Sequence, residues 1–238
     1  MLTTVTLTGA DHSVDPSELR NLSKEFPFVE WGVLFGSVGG PRFPSIKWIH
    51  ELVMYRETLE NRINLSLHIC GRPLREIAKG KSDLFGPLGP QLCAFSRCQL
   101  NWHGEPQDAN VPANILQAFC SLSPWDPEII FQLDGVNDYL MRAVERRFRV
   151  SGLFDVSHGA GVLPESWPKP RAEFACGWAG GLGPNNVQAE SEKIAAVAFK
   201  TRPYWIDMET LIRSDDGSKF DLDKCRSVLE QMKPFITQ

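Results

Sequence analysis

Short apolar runs that end in polar or glycine-containing turns recur along this chain, with helically spaced apolar residues between them. We read strands beginning near Thr3 (TVTLTG), Phe28 (FVEWGVLFG), Ile63 (INLSLHICG), Arg97 (RCQLNWHG), Glu128 (EIIFQLDG), Val150 (VSGLFDVSHG), Phe174 (FACGWAGG) and Tyr204 (YWIDMET). Each run is short, mostly rich in β-branched or aromatic residues, and bounded by turn residues. Near-continuous apolarity suits parallel strands covered on both faces. The intervening segments read as helices. Ser13-Val14-Asp15-Pro16 predicts a Ser N-cap followed by proline, with Leu19 and Leu22 on one face. Ile49, Leu52, Val53 and Leu59 line the second helix; Leu222, Cys225, Val228, Leu229 and Met232 line the last. The third, around Pro73 to Lys79, is short, and the sixth is barely visible.

Eight strands alternating with helices predict the α/β class: a single (β/α)8 barrel of the TIM type spanning 1–238, with its ligand site at the C-terminal ends of the strands. The rival, a doubly wound open sheet, usually carries a GxGxxG first turn. The first turn here is TGADHS. Ser82 to Phe95, rich in Gly and Pro, reads as an idle surface loop in preference to a lid.

Composition narrows the function. The 238 residues are 42% hydrophobic, enough for a full core, and the net charge is −4. The 25 Lys and Arg are dispersed, so no basic nucleic-acid face is expected. No stretch approaches the roughly 18 apolar residues of a membrane span. The opening MLTTVTLTGADHS has no basic region leading into a long apolar run, so we expect no signal peptide and a cytoplasmic location. Six scattered cysteines form no CxxC pair and read as reduced thiols.

At the strand ends the chain delivers Thr8 and Asp11, Ser37 and Arg42, His68 and Cys70, Asn101 and His103, Asp134, then Asp155 and His158. The last two strands bring a glycine run, then Asp207, Glu209 and Thr210. A lone Asp at a strand end is as often a turn or cap as a functional group. WAGGLGPNNV is the strongest local signal: paired glycines open a helix, where backbone N–H groups attract a phosphate. The loops after the seventh and eighth strands form the usual phosphate cradle of such a barrel. A plain glycine turn with Pro184 at the helix start is the alternative. Glu30, odd in a buried strand, is expected to pair with a basic group, and Trp178 is a candidate to stack on a ligand.

Over most of its length the chain resembles the phosphoribosylanthranilate isomerase family of tryptophan biosynthesis. Leu153-Phe154-Asp155 is similar to that family's "LLD", Ala179 to Val187 to its "GGLxPxNV", and Ile206-Asp207-Met208-Glu209 to its "VDVSSGVE". Gly32 to Ser45 resembles "GFIF…SPRxVS". The resemblance implies an Amadori-type isomerisation of a phosphorylated sugar, with Asp155 as general acid and Arg42 binding a carboxylate. Thr8 stands where the family has its cysteine base, and Glu209 where it has small residues. Asp11, His68 and Asp134 are the candidate replacements for that base.

The expected site therefore has Asp155, Asp11 and Thr8 as catalytic residues, and Arg42, His68 and Asp134 on the substrate. Gly180, Gly181, Gly183 and Thr210 would hold the phosphate. The expected partner is a small phosphorylated metabolite, with no metal and no cofactor. Two other readings stay open: a redirected or non-catalytic barrel that binds such a metabolite, and a metal-assisted lyase or hydrolase drawing on His68, His103, Asp134, Asp155, Asp207 and Glu209.

Overall fold

The computed structural model describes residues 1–36, 41–55, 63–102, 110–133, 135, 137–155, 157 and 160–237. Eight parallel strands close in chain order into a barrel. They are β1 (Leu2–Thr8), β2 (Val29–Phe35), β3 (Asn64–Ile69), β4 (Arg97–Leu100), β5 (Glu128–Gln132), β6 (Val150–Asp155), β7 (Ala175–Ala179) and β8 (Tyr204–Met208). Every strand starts within one residue of the position its apolar run marks. The α-helices among the described residues are α1 (Pro16–Glu25), α2 (Ile46–Met54), α3 (Gly71–Ile77), α4 (Val111–Cys120), α5 (Asp138–Val144), α6 (Val187–Val197) and α7 (Leu222–Met232). None of them is long and apolar enough to cross a membrane.

The core lies mainly between strands and helices. Outward positions such as Val5, Leu7, Trp31 and Val33 meet Leu19, Leu22, Ile49, Leu52, Val228 and Leu229. Three local expectations change. The cap of α1 is Asp15, not Ser13: Asp15 accepts from the Ser17 amide, and Glu18 accepts from the Asp15 amide, closing a capping box. Ser13 instead accepts the Phe220 amide through its hydroxyl (2.9 Å). The segment 82–95 is not idle. It forms two 3-10 turns that bury Phe85, Leu88, Leu92 and Phe95, and Phe85 stacks on Phe35 with centroids 5.5 Å apart.

The third change is between β6 and β7, where the described residues contain no helix. That connection covers the barrel with side chains. Trp167 donates to Glu190 (2.8 Å), and Trp178 donates to the Pro168 carbonyl (3.0 Å). Trp178 packs between Phe154 and Tyr204 on the outer surface of the strands, so it faces away from the mouth and stacks on no ligand there.

Inward positions carry the polar residues. Glu30 meets the basic group its burial demands: it pairs with Arg97 (3.2 Å) and accepts from Thr6 (2.9 Å). The Arg97 guanidinium lies over the Trp205 ring, 4.1 Å from its centroid. Two glycines make this interior possible. A Cβ on Gly177 would fall 2.1 Å from the Trp205 ring, and one on Gly32 would fall 2.2 Å from Thr8 Oγ1.

Candidate functional site

A cavity of about 270 Å³ opens at the C-terminal mouth. Its lining alternates with the strand period, since only every second residue points inward. One side is acidic and comes from β6, β8 and β1: Asp155, Ser157, Asp207, Glu209 and Thr8, with Arg42 beside them. The other side is uncharged in its side chains and comes from β3, β4 and β5 and their ends: His68, Cys70, Gln99, Asn101 and Gln132.

Asp155 and Asp207 are both in register with Ala179 of β7, so they stand two strand spacings apart, about 10 Å at their Cα atoms. Their surroundings differ. Asp155 accepts from the Ser157 amide (3.1 Å), the Ser157 hydroxyl (2.9 Å) and Gln132 Nε2 (3.4 Å). Asp207 is buried and accepts only from Thr8 Oγ1 (2.7 Å) among the described bonds. Burial pushes the Asp207 carboxyl well above the usual carboxylate range. The Thr8 bond opposes the shift, and the charges of Glu209, Glu30 and Asp155 add to it. Glu209 is also raised by burial, against the pull of Arg42, to which it is bonded at 2.7 Å.

The expected catalytic residues divide accordingly. Asp155 and Thr8 line the cavity. Asp11 lies outside the lining. Its Oδ2 takes Arg213 Nη2 and the Arg42 amide, both at 2.8 Å, and its Oδ1 takes the Ser13 amide at 2.9 Å. Burial would raise this carboxyl, but hydrogen bonds from Ser13, Arg213 and Arg42 outweigh it and hold it low. Asp11 is thus a strut and not a free base: with Arg213, which also donates to the Gly9 carbonyl (2.7 Å), it ties the loop after β1 to the loop after β8.

Arg42 lines the cavity in a left-handed conformation (φ 87°), with one guanidinium nitrogen committed to Glu209. His68 lines it too. Burial, helped by the charge of Arg97, pushes its imidazole down to about 3, so it is neutral and a weak base near pH 7. Asp134 lies outside the described residues, as do Ser37, His103 and His158.

The glycine run behaves differently from a free anion cradle. Gly180 and Gly181 line the cavity with positive φ (115° and 64°), and Thr210 stands near them. A Cβ on Gly181 would sit 2.4 Å from the Leu163 amide nitrogen, so backbone of the β6–β7 connection fills the approach that glycine opens. Gly183 is not part of this cavity wall, and its amide is spent on Asn186 Oδ1 (2.9 Å). Asn186 also donates to the Gly181 carbonyl (2.7 Å), which folds the loop onto itself.

Asp207 and Glu209 stand in the sequence only as candidate metal ligands and not in the expected acid–base set, and Gln99, Gln132 and Ser157 are in neither. Inward alternation from Arg97 and Ile130 was the available signal for the two glutamines. On the uncharged side a chain of bonds runs Gln99 Nε2 to Asn101 Oδ1 (2.8 Å), then Asn101 Nδ2 to Cys70 Sγ (3.0 Å). Burial pushes the Cys70 thiol up to about 12, with Asn101 opposing and Glu209 reinforcing, so it stays protonated. Among the described residues no three His, Cys, Asp or Glu side chains are grouped to hold a metal ion.

No family model matches this chain, and no curated protein matches it. Among solved structures it is similar to one titled "Complex structure of GH113 beta-1,4-mannanase", with 10% identity and a TM-score of 0.48 over 98% of this chain and 97% of that one.

Proposed function

We propose that this barrel is an acid–base isomerase of the aldose–ketose type, acting on an unphosphorylated glycosylamine. The observation that carries the reading is one cavity holding two carboxyl groups in opposed settings, the arrangement that separates an acid from a base. The resemblance to phosphoribosylanthranilate isomerases supports the reaction class and leaves the base to be found.

Asp207 is desolvated and favours its protonated form, which suits the acid that protonates the ring oxygen as the C1–O bond breaks. Asp155 accepts hydrogen bonds from three donors, a setting that suits the group that takes the C2 proton. This reverses the role the resemblance implies for Asp155. The C2 electron pair forms the enaminol. Asp155 then returns its proton to C1, and Asp207 recovers one from the C2 hydroxyl as the ketone forms. No oxidant or outside proton is consumed. Thr8 orients Asp207 and takes no proton itself.

Charge favours a substrate without phosphate. Among the described residues that line the cavity the cationic side chain is Arg42, and Glu209 already engages it. The test is to incubate the protein in D2O with N-phenyl-ribosylamine and, separately, with phosphoribosylanthranilate, following both by NMR. We expect the 1-amino-ketose from the neutral compound, with deuterium at C1 only to the extent that the proton held by Asp155 exchanges with solvent before its return, and no conversion by Asp155→Asn. Folded protein that converts neither compound faster than a protein-free control overturns the reading; conversion of the phosphorylated compound alone restores the phosphate site.

A further inference from the structure

The uncharged side of the cavity holds three buried polar atoms with no hydrogen-bond partner among the described residues: His68 Nε2, Gln99 Oε1 and Gln132 Oε1. Their residues are almost fully buried, at 1%, 4% and 3% exposure, and all three line the cavity. They come from β3, β4 and β5, with His68 directly in register with Gln99. A buried polar atom left unpaired is costly, and most such atoms in folded proteins find a partner. Three on one wall of one cavity point to a ligand that completes them.

The neighbours dictate what each amide offers. Gln99 gives its N–H to Asn101, whose own N–H is turned to Cys70, so the carbonyl end of Gln99 is left over. Gln132 gives its N–H to Asp155, which leaves its carbonyl likewise. Both spare groups are acceptors. The side chains that line this wall are uncharged, with the His68 imidazole neutral and the Cys70 thiol protonated, and Arg97, deeper on β4, is already paired with Glu30. An anion here would meet spare acceptors.

We propose that Gln99, Gln132 and His68 form a specificity shelf for neutral hydroxyl groups, the polyol arm of the sugar whose reacting carbons lie across the cavity at Asp155 and Asp207. Hydroxyls donate to the two carbonyls and meet the imidazole nitrogen in either sense. The proposal rests on the glycosylamine reading for its substrate, and its test involves no turnover.

The probe is 1-anilino-1-deoxy-D-ribitol, which cannot isomerise, together with its 3-deoxy and 4-deoxy forms. Calorimetry measures each against wild type, Gln132→Leu and Gln99→Leu, with Gln132→Met as a second variant should a leucine protein not fold. We expect each glutamine variant to weaken the ribitol compound about tenfold, one hydrogen bond's worth. The same variant should no longer distinguish it from one deoxy form. Melting temperatures serve as the folding control and should shift by no more than a few degrees, because each variant removes an unpaired oxygen together with the bond its amide gives to Asn101 or Asp155. Failure of the ribitol compound to bind wild type, or equal weakening of all three compounds in every variant, overturns the shelf. Coupled binding without isomerisation would leave the shelf standing and remove the proposed reaction; isomerisation without coupling would do the reverse.

Discussion

The two sides of the cavity are built from the same strand period and differ in what keeps them buried. On the β6–β8 side every polar group has a strong partner: Thr8 on Asp207, Ser157 on Asp155, Arg42 on Glu209. On the β3–β5 side the groups are uncharged, linked in a chain, and three atoms stay unpaired. Charged groups cannot be left alone in low dielectric, whereas an amide can wait for a ligand at smaller cost. On the proposed reading the difference is a division of labour, in which the acidic side moves protons and the uncharged side recognises.

The sharpest way to break this division is to neutralise each carboxyl group in turn. Asp155→Asn and Asp207→Asn should each lower kcat by about 10³-fold, within the usual range for a lost general acid or base, and leave KM within a few-fold. Steady-state kinetics decides. A shelf variant that lowered kcat as far, with KM unchanged, would erase the distinction between the two sides.

Next in size is the strut. Arg213 is fully buried against Asp11 (2.8 Å), and Arg213→Ala leaves a buried carboxylate unpaired at a cost of about 3 kcal/mol or more. The melting temperature should fall by roughly 6–12 °C. Because the strut ties the loops after β1, β2 and β8 and none of these bonds reaches β3–β5, binding of the ribitol compound at temperatures well below melting should survive better than kcat.

A smaller effect separates the carboxyl groups by pH. The folded protein raises Asp207, Glu209 and Glu30, so the stability they contribute is present at low pH and is lost as pH rises through their folded values. Asp11 is lowered, so its contribution is present at neutral pH and is lost as pH falls through its folded value. Asp207→Asn should therefore melt about 3 °C or more above wild type at pH 8, with the gap closing toward pH 4. A constant gap would deny that the fold raises the Asp207 carboxyl above its unfolded value. The smallest effect is a null: the His68 ring protons should not titrate by NMR between pH 5 and 8, since the imidazole lies down near about 3.

Much of the barrel was legible because each strand carries its own punctuation, and a register of period two needs no distant information. Asp155 and Arg42 were legible as strand-end residues, and Glu30 as a charge in need of a partner. Other features depend on closure. Thr8 and Asp207 are 199 residues apart, and Asp11 and Arg213 are 202 apart. Nothing near Asp11 in the chain tells a free base from one locked to an arginine. What fills the approach that the glycine run opens was illegible for a related reason: backbone from Val162 and Leu163 lies against it. Glutamine carries little signal of its own, and only the bonding around Gln99 and Gln132 singles them out.

The barrel closes by pairing its first strand with its last, and Leu2 also bridges to Ile236 near the chain's end. Contacts at that sequence separation form slowly, because a long loop must be ordered before they repay it. The uncharged shelf comes from the consecutive strands β3, β4 and β5, whereas Asp207 meets Thr8 only where the ring shuts. On the proposed reading, the groups that recognise lie within one continuous stretch of chain, and the groups that react are joined only by closure.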